Sequence, residues 1–264
     1  MKPDHNKLRV RAVSYLNTVP LVWGMLHGAE RDEVDLSFSI PSECARDVER
    51  GGAEVGLVPV AEIARQGLEI APGVGIACYG AVRSILLCSR VPWSQVKTLA
   101  ADASSRTSVE LARVILRERY GVEPAISSEP PDLAQMLAHA DSALLIGDPA
   151  LRTDPLRTGY QCLDLGAEWL ALTGLPFVFA AWAAKPGVDL DRVARVTTAS
   201  YAFGRDHIDE IVEAERERRG VSRELARRYL TEHIRFEIGP EEQRGLETFF
   251  ELANLRTPAL TART

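Results

Sequence analysis

Several clusters of polar side chains fall where an apolar run stops and a helix signal begins. Ser14-Tyr15-Leu16-Asn17-Thr18 combines hydroxyls, an amide and the free N–H groups of a helix starting near Pro20. Such a turn is a natural receptor for a carboxylate; a plain N-cap at Asn17 or Thr18 would use the same residue types. Ser104-Ser105-Arg106-Thr107-Ser108 repeats the pattern, with Thr107 and Glu110 at capping-box spacing. Its hydroxyls exceed what one cap needs, so anion binding and capping both stand. Gly147-Asp148-Pro149 reads as a cap that faces the same opening, because it follows the apolar run Ala143 to Ile146. Arg83-Ser84 sits inside the apolar run Val82 to Cys88. A charge and a hydroxyl there are costly unless paired or wet, which leaves an edge arginine in water or a pair aimed into a cleft. Trp169, with Thr173-Gly174-Leu175-Pro176-Phe177, would wall a pocket for a flat ring or pack in the core.

The elements that must position these groups follow from periodicity. Leu8 to Val13 and Val34 to Ile40 alternate as strands, and Val55 to Val58 is a short buried strand ending at Pro59. Helices fill the gaps, one from Asn17-Thr18-Pro20 to His27-Gly28 and one from Pro41 to Gly51-Gly52. This β-α-β-α-β start implies parallel strands with right-handed crossovers. Val74 to Ser89 holds two long strands split by Gly80. Thr98 to Ala101, Ala125-Ile126, Ala143 to Ile146 and Phe177 to Ala184 read as strands. Thr107 to Tyr120 and Pro131 to Ala138 read as helices, with a short helix from Asp148-Pro149 and a charged, helical remainder from Asp189. We expect an α/β protein of two lobes, residues 1–90 with 185–264 and residues 91–184. Two crossover strands near Arg90–Pro92 and Lys185–Gly187 would join them, with the ligand in the cleft between.

Composition narrows the class. The chain has 264 residues, 46% hydrophobic and 26% charged, as in ordinary globular domains. Its net charge is −6 and its pI about 5.5, against a nucleic-acid partner. No apolar stretch reaches the roughly 18 residues of a membrane span, and the start lacks a leader's apolar core, so we expect no membrane partner and a cytoplasmic protein. The histidines (His5, His27, His139, His207, His233) and cysteines show no metal-ligand spacing, and no CxxC pair occurs. Buried free thiols are therefore expected at Cys44, Cys78, Cys88 and Cys162. P-loop, GxGxxG and GxSxG patterns are absent.

Val13-Ser14-Tyr15-Leu16-Asn17-Thr18-Val19-Pro20-Leu21 resembles the opening signature of the futalosine-pathway chorismate dehydratases of menaquinone biosynthesis. Gly56–Pro59, Val82–Ile85, Ser105–Ser108, Leu144–Asp148 and Asp164 through Trp169 to Thr173–Phe177 resemble the family in the same order, so the likeness spans about residues 8–255. It implies a fold similar to type II periplasmic binding proteins. The implied reaction removes water from chorismate to give 3-[(1-carboxyvinyl)oxy]benzoate, with neither metal nor redox cofactor. The related 1,4-dihydroxy-6-naphthoate synthase shares the fold but carries a different signature and a catalytic histidine, and no histidine here falls at a cleft-facing strand end. A non-catalytic small-anion-binding protein of the same fold is the alternative of another class.

On that reading Asn17 and Ser84 are the catalytic candidates, meeting the leaving hydroxyl or an enolate-like intermediate. Thr107 and Ser108 would take one carboxylate of a dianionic small molecule. Ser14, Tyr15 and Thr18 would fix the ring or the other carboxylate. Arg83, Asp148 and Trp169 complete the candidate substrate contacts. The oligomeric state stays open between monomer and homodimer.

Overall fold

The computed structural model describes residues 7–103 and 106–258. Ser104, Ser105 and His5 lie outside the described residues. The chain begins β1 (Leu8–Val13), α1 (Val19–His27), β2 (Val34–Ser39), α2 (Pro41–Glu49), β3 (Val55–Pro59), α3 (Val60–Gln66), β4 (Glu69–Cys78). It continues β5 (Ile85–Ser89), β6 (Thr98–Asp102), α4 (Thr107–Tyr120), β7 (Ala125–Glu129), α5 (Leu133–His139), β8 (Ser142–Ile146), α6 (Gly147–Arg152), β9 (Gln161–Asp164), α7 (Leu165–Thr173). It returns through β10 (Phe177–Ala184), α8 (Leu190–Asp206), α9 (Ile208–Arg219), α10 (Arg223–Arg228), β11 (Arg235–Ile238) and α11 (Pro240–Leu252).

These strands form a six-stranded sheet, β11-β4-β10-β3-β1-β2, and a five-stranded sheet, β7-β6-β8-β5-β9. β1 pairs in parallel with β2 and β3, as the opening pattern predicts. Both sheets are nonetheless mixed, because β10 runs antiparallel between β3 and β4, and β5 antiparallel between β8 and β9. β5 thus belongs to the second sheet and β10 to the first. The chain passes between sheets at residues 79–84 and 174–176, not at Arg90–Pro92 or Lys185–Gly187. Proline and glycine at those places merely turn the chain at strand ends.

β3 and β10 are buried along their whole length, which is why they read as unbroken apolar runs. α1 is apolar almost all round because α8 covers the side turned from the sheet. Ser200 of α8 bonds Leu21 O at 2.8 Å and accepts Met25 N–H at 3.0 Å. A Cβ on Gly204 would lie 2.0 Å from Pro20 O, so only glycine allows this approach. The contact fixes α1 and the turn before it.

Short elements escaped the sequence. β9 and β11 have four residues each, too few for alternation to stand out. Cys88 and Cys162 face each other across β5 and β9 and form a disulfide, against the free-thiol expectation. With β9 unread, nothing placed these cysteines side by side. Cys44 and Cys78 are buried free thiols. Among the described residues no helix is long and apolar enough to cross a membrane.

Candidate active site

A cavity of about 70 Å³ opens between the two sheets. Tyr15, Asn17 and Thr18 reach it from the turn after β1, Pro59 from the end of β3, and Phe179 from β10. The facing wall carries Ser84 before β5, Arg106, Thr107 and Ser108 at the start of α4, and Gly147 at the start of α6. Groups as far apart in the chain as Tyr15 and Phe179 therefore share one hollow, at the carboxyl ends of β1, β3, β6 and β8, where α/β sheets bind ligands.

Leu16–Thr18 form a single 3₁₀ turn before α1. Thr18 occupies the N-cap position, yet its hydroxyl makes no capping bond. Thr18 Oγ1 and Asn17 Oδ1 are both buried without a hydrogen-bond partner. Leaving such a group unsatisfied costs about 1–3 kcal/mol, and native structures tolerate few without a reason. The cap expectation fails here, and both residues instead stand on the cavity wall with these oxygens unpartnered.

Ser84 is buried and accepts a hydrogen bond from the Tyr229 hydroxyl at 2.8 Å. Tyr229 was not anticipated. Its only signal was an aromatic among the charges of the segment after Arg223, and the π-helical turn it opens, with Ile234 N–H bonded to Tyr229 O, has no sequence signature. Burial pushes its phenol well above the ordinary tyrosine range, so it stays neutral.

Thr107 is the first residue of α4 rather than its cap, so the capping box with Glu110 does not form. Thr107 Oγ1 instead accepts Ala61 N–H from α3 at 3.2 Å, and Glu110 pairs with Arg65. Thr107 and Ser108 remain on the cavity wall at the positive end of a 14-residue helix. Arg106 joins them there, a cation that our candidate contacts left out.

Other candidates serve the frame. Arg83 does not line the cavity. Its guanidinium donates to Ala150 O and Thr153 O at 3.2 and 2.8 Å, and burial lowers its pKa. Its backbone is left-handed, φ 66°, held by Asp164, whose carboxylate accepts Val82 N–H and Arg83 N–H at 2.9 and 2.6 Å. A strained non-glycine residue beside Ser84 turns that hydroxyl toward the cavity. Asp148 is likewise fully engaged. Oδ1 accepts Leu16 N–H at 3.1 Å, and Oδ2 accepts from Arg219 at 2.5 Å. Arg219 is buried and also donates to Ser14 O and Glu215. This pair clasps α9 and the β1 turn to the head of α6. Ser14 is exposed, and only its backbone takes part. Trp169 lies in the core, Nε1 bonded to Pro176 O at 3.0 Å, its ring edge-on to Phe177 at 5.1 Å. It walls no pocket.

Gly147 shows how closely the walls approach. It is left-handed, φ 59°, and a Cβ would meet the Tyr15 ring at 2.8 Å. No histidine lines the cavity among the described residues, and in the same residues no group of three metal-ligating side chains converges.

Two α/β lobes around an interlobe cavity define a fold of the periplasmic-binding-protein type. The periplasmic aliphatic sulphonate binding protein SsuA from Escherichia coli is similar in fold, with a TM-score of 0.63 at 14% identity, covering 98% of this chain and 94% of that one. Protein AF1704 from Archaeoglobus fulgidus superposes with a TM-score of 0.76 at 19% identity, covering 95% and 98%. Within that class, residues 8–255 match the menaquinone biosynthesis family, and the chain belongs to it. A curated relative, the chorismate dehydratase of Thermus thermophilus, is 28% identical over 261 residues, 91% of this chain and 93% of its own.

Proposed function

We propose that the protein is a hydro-lyase that converts chorismate to 3-[(1-carboxyvinyl)oxy]benzoate. The observation that carries this reading is the meeting of Asn17 and Ser84, one orphaned and both buried, in a single cavity headed by the N-terminus of α4. The family match and the chorismate dehydratase relative support it.

The chemistry asks little of the protein. The ring hydrogen lost is vinylogously alpha to the ring carboxylate, so the C–H electron pair is delocalised into that carboxylate. It then becomes ring π density as the neighbouring C–O bond breaks and its pair leaves with the hydroxyl. Removed proton and hydroxide make up the water released, and the ring becomes aromatic. The protein must hold a dianion and stabilise developing charge. The α4 N-terminus, with Thr107, Ser108 and Arg106, holds one carboxylate. Asn17 and Ser84 face the leaving hydroxyl, and Tyr15 and Thr18 bound the ring. No Asp, Glu, His or Lys lines the cavity among the described residues, so in this proposal a carboxylate of the substrate takes the proton. The two sheets act as lobes hinged at residues 79–84 and 174–176.

Purified protein mixed with chorismate should release the aromatic product, followed by chromatography and ultraviolet absorbance. Binding without turnover would instead mark a receptor, the reading that likeness to SsuA favours. Cytoplasmic residence belongs to the same proposal. The Cys88–Cys162 bond stands against it, because the cytosol keeps such pairs reduced. Rapid alkylation in cells, then mass spectrometry, decides: both thiols free supports the cytoplasm.

A further inference from the structure

The polar atoms around Ser84 have a definite hydrogen-bond polarity, and one residue sets it. Tyr229 has a single proton, which it gives to Ser84 Oγ at 2.8 Å. Ser84 Oγ is thereby an acceptor toward Tyr229, and its own proton is free to point into the cavity it lines. The phenol oxygen still has lone pairs, and Asn17, on the wall of the same cavity as Ser84, is near enough for its side chain to pull the phenol's pKa down against burial. Because the phenol proton is already committed to Ser84, only the Asn17 amide N–H can face those lone pairs. Asn17 Oδ1 is then turned away, and it is the Oδ1 atom that is buried without a partner. The cavity thus presents one donor, Ser84 O–H, beside one acceptor, Asn17 Oδ1. A hydroxyl group is the simplest ligand that satisfies both, since it accepts from the first and donates to the second.

We propose that Tyr229 is a positioning residue that orients Ser84 as donor and Asn17 as acceptor toward the substrate hydroxyl that leaves. This rests on the dehydration reading above. Tyr229 need not touch substrate. It acts through Ser84, strengthening the hydrogen bond that Ser84 gives to the departing oxygen as charge grows there. Its burial keeps the phenol neutral and therefore a constant donor. The π-helical turn beginning at Tyr229 widens the helix there, a distortion found often at functional sites.

Tyr229→Phe removes one oxygen and keeps the ring. It should lower kcat on chorismate about 10- to 100-fold with KM within about threefold, in a protein that stays folded at assay temperature but unfolds at a somewhat lower midpoint. In a Ser84→Ala background the same change should cost clearly less than it does in wild type, because only its effect through Asn17 remains. Full turnover by Tyr229→Phe, or an additive loss in the double variant, overturns the proposal. Replacing Tyr229 with 3-fluorotyrosine keeps the donor and should keep turnover; its failure to do so, in a folded protein, also overturns it.

If wild-type protein does not turn chorismate over, the dehydration reading fails and calorimetry with simple acids still decides the polarity. Wild type should bind 4-hydroxybenzoate, whose hydroxyl stands where the leaving one does, about tenfold more tightly than benzoate, and Tyr229→Phe should lose that preference. Absence of a preference in wild type, or its survival in Tyr229→Phe, overturns the inference.

Discussion

The turns after β1 and after β8 carry the same kind of sequence, an apolar strand followed by small polar residues and a proline at a helix start. Their polar atoms end up in opposite conditions. After β8, both oxygens of Asp148 are held by Leu16 N–H and Arg219. After β1, Asn17 Oδ1 and Thr18 Oγ1 are buried without partners. The turn after β8 ties the two lobes together; the turn after β1 is left incomplete, and a ligand can complete it. Polarity at a strand end marks both, and only the disposition of the hydrogen bonds tells a clasp from a binding group.

The contrast breaks most sharply at Arg219. Arg219→Met would leave the half-buried Asp148 carboxylate without its cation, and the unfolding free energy should drop by about 2–4 kcal/mol, measured by denaturant titration. An unchanged midpoint would remove the clasp from the account. Next is Asn17→Asp, which sets a negative charge against an anionic substrate. We expect chorismate turnover to fall about 10²- to 10³-fold while the same titration moves little. If stability fell instead and turnover survived, Asn17 would belong with Asp148 among the structural groups.

Gly147→Ala probes the seam between the two turns. The added Cβ meets the Tyr15 ring at 2.8 Å on a left-handed backbone, so a loss of about 1–2 kcal/mol is expected, with a weakened affinity for substrate. The smallest effect is also the most diagnostic. Thr18→Val replaces an orphaned hydroxyl with a methyl of similar shape, and stability should rise by about 1 kcal/mol while KM for chorismate increases. A Thr18→Val protein that is less stable than wild type would mean that the hydroxyl already serves the fold.

Much of this was legible in the chain. β1, α4 and β10 begin and end where alternation, helical spacing and an unbroken apolar run place them. The grouping of Asn17 with Ser84 followed from the family resemblance, and the cavity brings the two together. Arg83, Asp148 and Trp169 suit contact with substrate by type and position, but sequence carries no information on which partner a polar group finds. Arg219 and Tyr229 were missed for the same reason: each sits in a charged helical stretch and is buried only because a distant segment folds over it.

Local periodicity and turn chemistry were thus determined by the sequence alone, since they depend on neighbours within a few residues. Tertiary structure decided the lobe crossings, the Cys88–Cys162 bond, the Arg219–Asp148 clasp and the polarity set by Tyr229. Each joins atoms from segments far apart in the chain. Only packing of the two sheets settles whether a polar atom meets a partner or is left open for a guest.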